Sequence, residues 1–351
     1  MNSNTPPLFI RPDQLAAAHH ALNEVEMTPA QPAKDSDWSA LLSGWRYRAI
    51  VLSVIAATLG YLGFAVWGGW RDVVSAVSKV GTLGVVVVLS LSLVNYGLRF
   101  LRWQIYLKAL DHPLPWWPSL KIYLAGFALT TTPGKAGEAV RGVLLRPWGM
   151  PFPKSLAAFL SERLSDLLAV VLLTLFGLTA YAAAQPLIAL GAAAVVAALL
   201  VLSNQRLLER LHHATQRMAR LPRPLRHIFE ILLQARRCHR PAVLLSATGL
   251  SVAAWAAEAV GFYLILQMMD LPTPLAFAVF VYAISSLAGA LSFMPGGLGG
   301  AEGVMVALLL WQGVGKPEAI AATVLIRLAT LWFAVCIGCV AIATHGRSRQ
   351  A

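Results

Sequence analysis

Pro133-Gly-Lys-Ala-Gly-Glu138-Ala-Val-Arg141 and Pro295-Gly-Gly-Leu-Gly-Gly-Ala-Glu302 carry one signal twice: a Pro-Gly break in an apolar stretch, followed by a glutamate. Beyond each glutamate the chain repeats itself. Between 138–168 and 302–332, 11 of 31 paired positions are identical, among them Glu138/Glu302, Gly149/Gly313, Pro153/Pro317 and Arg163/Arg327. Shared Leu and Ala carry little weight in two apolar helices. Shared charges and helix breakers carry more, because both are costly in hydrocarbon. Duplicated segments broken at matching places mark membrane transporters built from repeats.

The surrounding composition supports a membrane reading. Mean hydropathy is +0.66, with 58% hydrophobic and 13% charged residues, well outside the range of soluble domains. Runs long enough to cross about 30 Å of hydrocarbon fall at 49–67, 83–110, 154–183, 187–203, 241–268 and 317–343. The stretches 118–148 and 273–313 are different, since each is interrupted at its Pro-Gly and neither half can cross alone. Pro removes a backbone donor and Gly weakens a helix, so each stretch is predicted to enter and return as a hairpin. The expected fold class is therefore an all-α polytopic membrane protein with six full transmembrane helices plus two re-entrant helical hairpins. Three crossings separate the hairpins, and an odd number turns the second upside down, giving an inverted repeat. The expected organisation is a disordered cytoplasmic tail (1–40), a transmembrane domain (45–343) and a short cytoplasmic tail (344–351). Within that domain lie repeat motifs at 118–168 and 273–332 and a basic cytoplasmic loop at 204–240. With a long, polar N-terminus, no cleavable leader is expected before the first span.

The net charge of +12 follows topology rather than nucleic acid. Nine arginines crowd 204–240 between two spans, which places that loop in the cytoplasm. Both termini then fall on the same side, and so does the start of 99–154, with Arg99, Arg102, Lys108, Lys121, Lys135, Arg141, Arg146 and Lys154. Leu225, Ile228, Phe229, Leu232 and Leu233 recur at helical spacing, predicting an amphipathic helix lying on anionic headgroups. A docking site for a separate lipid-modifying enzyme is the alternative use of 204–240. Tyr96, Trp103, Trp116, Trp117 and Trp148 are predicted to form an interfacial aromatic belt. Cys238, Cys336 and Cys339 make no disulfide framework, and all eight histidines fall outside the proposed spans. No metal site and no cofactor are expected.

The candidate site residues are the charges at membrane depth. Glu138 and Arg141 follow the first turn, Glu162, Arg163 and Asp166 begin the next span, and Glu302 and Arg327 recur in the second copy. Glu138–Arg163 and Glu302–Arg327 have the same spacing of 25 residues. One reading makes each pair an ion pair clamping a hairpin to the next helix. The other has Arg163 and Arg327 facing a cavity and attracting a phosphate headgroup, aided by half-helix N-termini at the turns. Pro133, Gly134 and Gly137 shape the first turn; Pro295, Gly296, Gly297 and Gly299 shape the second. Glu258, beside Trp255, is read as an arginine partner, with proton coupling as the alternative.

Pro133-Gly-Lys-Ala-Gly-Glu138-Ala-Val-Arg141, followed by Ser161-Glu-Arg-Leu-Ser-Asp166, resembles the lysylphosphatidylglycerol synthase transmembrane (flippase-like) family. Pro295-Gly-Gly-Leu-Gly299 with Glu302 resembles its second motif. Ala301 departs from the basic residue that many members carry before this glutamate, while Lys135 keeps positive charge in the first turn. The resemblance implies the lipid-translocating part of such a synthase, without the soluble aminoacyl-transfer domain that follows it in two-part members. The expected function is thus transport of an anionic or modified lipid between leaflets of the bacterial inner membrane, with no enzymatic activity. The alternatives are a polytopic lipid-modifying transferase using Glu138, Glu162 or Asp166 as general base, and a non-catalytic partner of such an enzyme.

Overall fold

The computed structural model describes residues 70–132, 138, 141–177, 223–292, 294 and 296–347, with isolated positions at 60, 63, 189, 192, 193, 196, 197 and 210. The expected tail 1–40 lies outside the described residues, as do Pro133, Gly134, Lys135, Gly137 and Pro295. So do the spans 49–67 and 187–203 and the first half of the basic loop, apart from those isolated positions.

Every described element is helical. In order they are α1 (Trp70–Ala109), α2 (Trp116–Phe127), α3 (Arg141–Leu144), a 3-10 turn (Arg146–Trp148), α4 (Phe152–Gly177) and α5 (Arg223–Arg237). There follow α6 (Pro241–Met268), α7 (Leu275–Leu291), α8 (Gly300–Trp311), α9 (Lys316–Arg327) and α10 (Phe333–Arg347), the last two joined by a π-helical segment, Leu328–Trp332. Among the described residues, three helical stretches are long and apolar enough to cross a membrane: Ser78–Ala109, Pro241–Met268 and Lys316–Thr344. They match the expected spans 83–110, 241–268 and 317–343. Helix α4 has comparable length, with 26 residues, but Glu162, Arg163 and Asp166 lie within little more than one of its turns.

Helices α1 and α6 form an antiparallel pair. Gly84 lies against Met268 and Gly261 against Val88. Further along, Asn95 Nδ2 donates to Ala254 O at 2.8 Å and Arg102 Nη1 to Ser251 Oγ at 2.6 Å. The rising numbers on α1 meet falling numbers on α6. Small residues permit this approach, as in most membrane helix pairs.

The two interrupted stretches hang from opposite ends of that pair. Helix α2 has 12 residues, about 18 Å, and so falls short of the hydrocarbon thickness. It leaves from the C-terminal end of α1. The chain comes back to the same end, where His112 Nε2 is 2.9 Å from Trp148 O and Lys154 Nζ donates to Leu110 O at 2.8 Å. The returning half is not a continuous helix. Helix α3 has only 4 residues, and Pro147, which lacks an N–H, steers the chain into the 3-10 turn. The second stretch departs from the C-terminal end of α6, where α7 (17 residues) and α8 (12 residues) pack along each other. Gly289 of α7 sits against Gly297 and Ala301. Gly296, Gly297 and Gly299 have φ of 65°, 70° and 82°, a left-handed run that glycine alone adopts without strain.

The tips of the two stretches touch. A Cβ on Gly296 would stand 3.6 Å from Thr131 Cα. Each stretch also has its own apolar core. Phe262, Phe277, Phe280 and Ile326 pack around the second, and Trp103, Tyr106, Tyr123 and Leu145 around the first.

Three surface expectations change. Arg99 and Arg102 are buried on α1 rather than cytoplasmic loop charges, with Arg102 fully enclosed at 0% exposure. Tyr96 and Trp103 of the expected aromatic belt are interior residues and Trp148 is half-buried, while Trp116 and Trp117 are exposed. Helix α5 turns Ile231 and Ala235 onto Ala157 of α4, and Arg237 pairs with Asp111. Of the apolar face assigned to headgroups, Leu232 and Leu233 are half-buried, Leu232 against this contact, and Ile228 stays exposed.

Candidate functional site

The site is built where α1, α4 and α6 converge beneath the two tips. Arg99 and Arg102 project from one side of α1, three residues apart; Glu162 and Asp166, four apart, project from one side of α4. Asp166 is the hub. Its Oδ1 accepts from Arg102 Nη1 at 2.6 Å and from Trp255 Nε1 at 3.1 Å. Its Oδ2 lies 3.1 Å from Arg163 Nη2 and 3.6 Å from Arg99 Nη2.

Glu138 and Glu162 are tied together through Arg141. Arg141 Nη2 donates to Glu162 Oε2 at 2.5 Å and to Glu138 Oε2 at 3.3 Å, while its Nε donates to the Glu138 carbonyl at 3.1 Å. The guanidinium also lies over the rings of Trp103 and Tyr123, 4.7 and 5.2 Å from their centroids. Glu138 Oε2 accepts a further bond from Arg163 Nη2 at 3.2 Å, and Oε1 accepts from Thr130 Oγ1 at 3.2 Å. Arg102 Nη2 stands 3.9 Å from Glu162.

The second copy is simpler. Glu302 Oε1 accepts from Arg327 Nε at 2.7 Å, and Oε2 caps the Gly299 N–H at 2.8 Å. Arg327 Nη2 donates to the Gly296 carbonyl at 2.6 Å. The first-copy charges Arg141, Glu162 and Asp166 correspond in the repeat to Met305, Ile326 and Thr330. The N-terminus of α8, expected to offer N–H groups to an anion, has the Gly299 N–H occupied by Glu302. Arg327 closes α9 immediately before the π-helical segment, a widened turn of a kind frequent at functional sites.

These elements enclose a cavity of about 350 Å³ lined from both copies. Arg163 and Asp166 face it from the first, Arg327 from the second, and Thr130, Gly296 and Gly297 from the tips. Arg99, Tyr96, Trp255, Glu258 and Tyr282 complete the polar and aromatic wall. Glu258 accepts from Tyr282 Oη at 2.6 Å, and Tyr96 Oη donates to the Thr330 carbonyl. Leu291 and Met294, 42% and 50% exposed, stand at the rim.

The sequence-selected charges therefore divide. Arg163, Asp166, Arg327 and Glu258 face the cavity. Arg141 and Glu162, at 3% and 1% exposure, and Glu138 and Glu302, at 2% and 3%, stand behind it. Both expected Glu–Arg clamps are present, and their arginine side chains are 22% and 15% exposed. Arg99 and Arg102 are the functional-site residues that sequence reasoning placed elsewhere. Their spacing of three along an otherwise apolar helix was the available signal.

A helical membrane protein with a charged cavity between two broken, oppositely hung segments is the class these observations define. The lysylphosphatidylglycerol synthase TM region matches residues 49–338, and the chain belongs to that family. Two UPF0104 membrane proteins of Methanothermobacter thermautotrophicus are 25% and 24% identical to it. These matches cover 80% and 86% of this chain and 90% and 94% of the relatives. UPF0104 membrane protein PH1989 of Pyrococcus horikoshii is 24% identical, over 82% of this chain and 94% of its own length.

Proposed function

We propose that this protein carries an anionic or modified lipid between the leaflets of the cytoplasmic (inner) membrane, its headgroup passing through the cavity and its acyl chains staying in the bilayer. One observation carries the reading. Arg163 and Arg327, matching residues of the two copies, face a single cavity where the two tips meet. Arginine presents a planar fork of donors to a phosphate, and both arginines line the cavity with side chains that are not fully buried. At about 350 Å³ the cavity has room for a headgroup.

In this reading the interrupted stretches are re-entrant hairpins of an inverted repeat, and access alternates as one half moves against the other. The pairwise contacts along α1 and α6, which put the two stretches at opposite ends, support that arrangement. Both termini and the 204–240 loop are assigned to the cytoplasm. The transferase alternative is weaker, because Glu138, Glu162 and Asp166 are each held by at least two arginines, which hinders service as a proton acceptor.

The test is exchange of fluorescent-tailed phosphatidylglycerol in proteoliposomes, read by an external quencher. Faster exchange is expected with the wild type and loss of it with Arg163→Ala and Arg327→Ala, both checked for folding. Exchange that survives both substitutions would remove the cavity from the mechanism.

A further inference from the structure

Two of the arginines lining the cavity are latched by hydrogen bonds. Arg163 Nη2 donates to Glu138 at 3.2 Å. Arg327 gives its Nε to Glu302 at 2.7 Å and its Nη2 to the Gly296 carbonyl at 2.6 Å. Each must release a partner before those donors can turn to a ligand. Arg99 also lines the cavity and is held differently. Its ion pair with Asp166, Nη2 to Oδ2, is 3.6 Å long, beyond hydrogen-bond distance. Its Nε has no hydrogen-bond partner among the described residues. Arg163 Nε shares that lack, but the Nη2 of Arg163 is committed.

Aromatic rings hold Arg99 in place. Its guanidinium carbon lies 5.9 Å from the ring centroid of Phe127, the last residue of α2, and 5.9 Å from that of Trp255 on α6. Both rings line the cavity as well. A ring face steadies a cation without using any of its N–H groups. Asp166 is drawn elsewhere, since its Oδ1 accepts from Arg102 and Trp255 and its Oδ2 lies 3.1 Å from Arg163.

Arg102, one turn further along α1, has unpartnered donors too. It is 0% exposed and stands behind the cavity wall, so of the two only Arg99 can offer donors to a ligand. The Arg99 side chain is 8% exposed, and a donor withdrawn from water without a partner is costly. An oxyanion in the cavity would remove that cost.

We infer that Arg99 is the resident ligand for a phosphate oxyanion in this cavity. It binds without first breaking a hydrogen bond to a carboxylate, while Arg163 and Arg327 still hold their glutamates. The inference rests on the transport reading above, in which the oxyanion is the headgroup phosphodiester. Two N–H groups along one guanidinium edge match two phosphate oxygens, a pairing that a lysine ammonium does not reproduce.

The experiment is calorimetric titration of the purified full chain in detergent with three probes. They are dihexanoyl phosphatidylglycerol, dihexanoylglycerol (the same chains without phosphate) and inorganic phosphate. The wild type should bind dihexanoyl phosphatidylglycerol at least about tenfold more tightly than dihexanoylglycerol, an arm that needs no variant. Arg99→Gln should weaken dihexanoyl phosphatidylglycerol by at least about tenfold and leave dihexanoylglycerol within about twofold, whereas a structural defect would weaken both. Arg99→Lys keeps the charge but not the fork and should fall between the wild type and Arg99→Gln. It carries the same comparison if Arg99→Gln does not fold. Unchanged affinity for dihexanoyl phosphatidylglycerol in these variants, or equal losses for both lipids, would overturn the role of Arg99 and leave transport standing. Inorganic phosphate should bind more weakly than dihexanoyl phosphatidylglycerol and lose affinity in Arg99→Gln. Tighter binding of inorganic phosphate, still dependent on Arg99, would make the ligand a free anion, keeping the role of Arg99 and overturning the lipid reading. Absence of binding by either phosphate probe would overturn both.

Discussion

Replacing Arg141 with Met separates structural charge from ligand-facing charge. Met has similar length and keeps the volume between Trp103 and Tyr123. The substitution removes both bonds to Glu162 and both to Glu138. Glu138 keeps Arg163 and Thr130, each at 3.2 Å, so its charge stays compensated. Glu162, 1% exposed, keeps only Arg102 among its ion-pair partners, at 3.9 Å. Breaking a buried pair from one side costs about 3–5 kcal/mol, chiefly because the other charge is stranded. The lost cation–π contacts add up to about 2 kcal/mol, less here because Met refills the slot. A loss of about 4 kcal/mol lowers the folded-to-unfolded ratio by roughly a thousandfold, a large share of the stability of an ordinary domain. Denaturation in mixed micelles, followed by tryptophan fluorescence, measures it. Adding Glu162→Gln should restore about 1–2 kcal/mol, since the stranded charge is gone. Once folded, Arg141→Met should lose less affinity for dihexanoyl phosphatidylglycerol than Arg163→Ala does, because Arg141 reaches the cavity only through Glu138, which it shares with Arg163. A change in stability below about 0.5 kcal/mol, or no gain from Glu162→Gln, would refute the stranded-charge reasoning.

Gly338→Ala should destabilise by about 3 kcal/mol in the same assay, because its Cβ would run into the backbone of Phe127 and Ala128, which cannot swing away as a side chain can. Gly297→Ala combines a φ of 70° with a Cβ placed 3.1 Å from Gly289 Cα, and about 1–3 kcal/mol is expected together with slower lipid exchange. Asp111→Asn removes the exposed pair with Arg237 and should change stability by less than about 1 kcal/mol. A larger effect would mean that α5 is anchored through this contact rather than through Ile231 and Ala235.

Periodicity and breakers made the long helices legible, since apolar runs of span length and Pro-Gly interruptions leave few alternatives for α1, α6 and α9–α10. The two Glu–Arg clamps were legible too, because equal spacing in two copies of one motif implies equal geometry. Other features were not. Arg99 and Arg102 read as loop charges because the positive-inside rule counts residues along the chain and does not see which helix face meets Asp166. Arg141 read as a headgroup ligand because nothing local reveals that Trp103 and Tyr123 close over it. The apolar face of the basic loop predicts a partner surface for α5. Lipid and the Ala157 face of α4 offer similar apolar contact, and only tertiary structure distinguishes them. The short α3 followed by a 3-10 turn was announced by Pro147, whose weight was hidden among apolar neighbours.

The most direct measurement joins the two tips. In a background with Cys238, Cys336 and Cys339 replaced, Thr131→Cys with Gly296→Cys places two thiols where a Cβ and a Cα stand 3.6 Å apart, within reach of a disulfide. Proteoliposome exchange of phosphatidylglycerol is then followed before oxidation, after it, and after reduction. If headgroups pass between the tips, exchange falls to the protein-free rate on oxidation and returns on reduction. Complete cross-linking with exchange unchanged would contradict passage through this cavity.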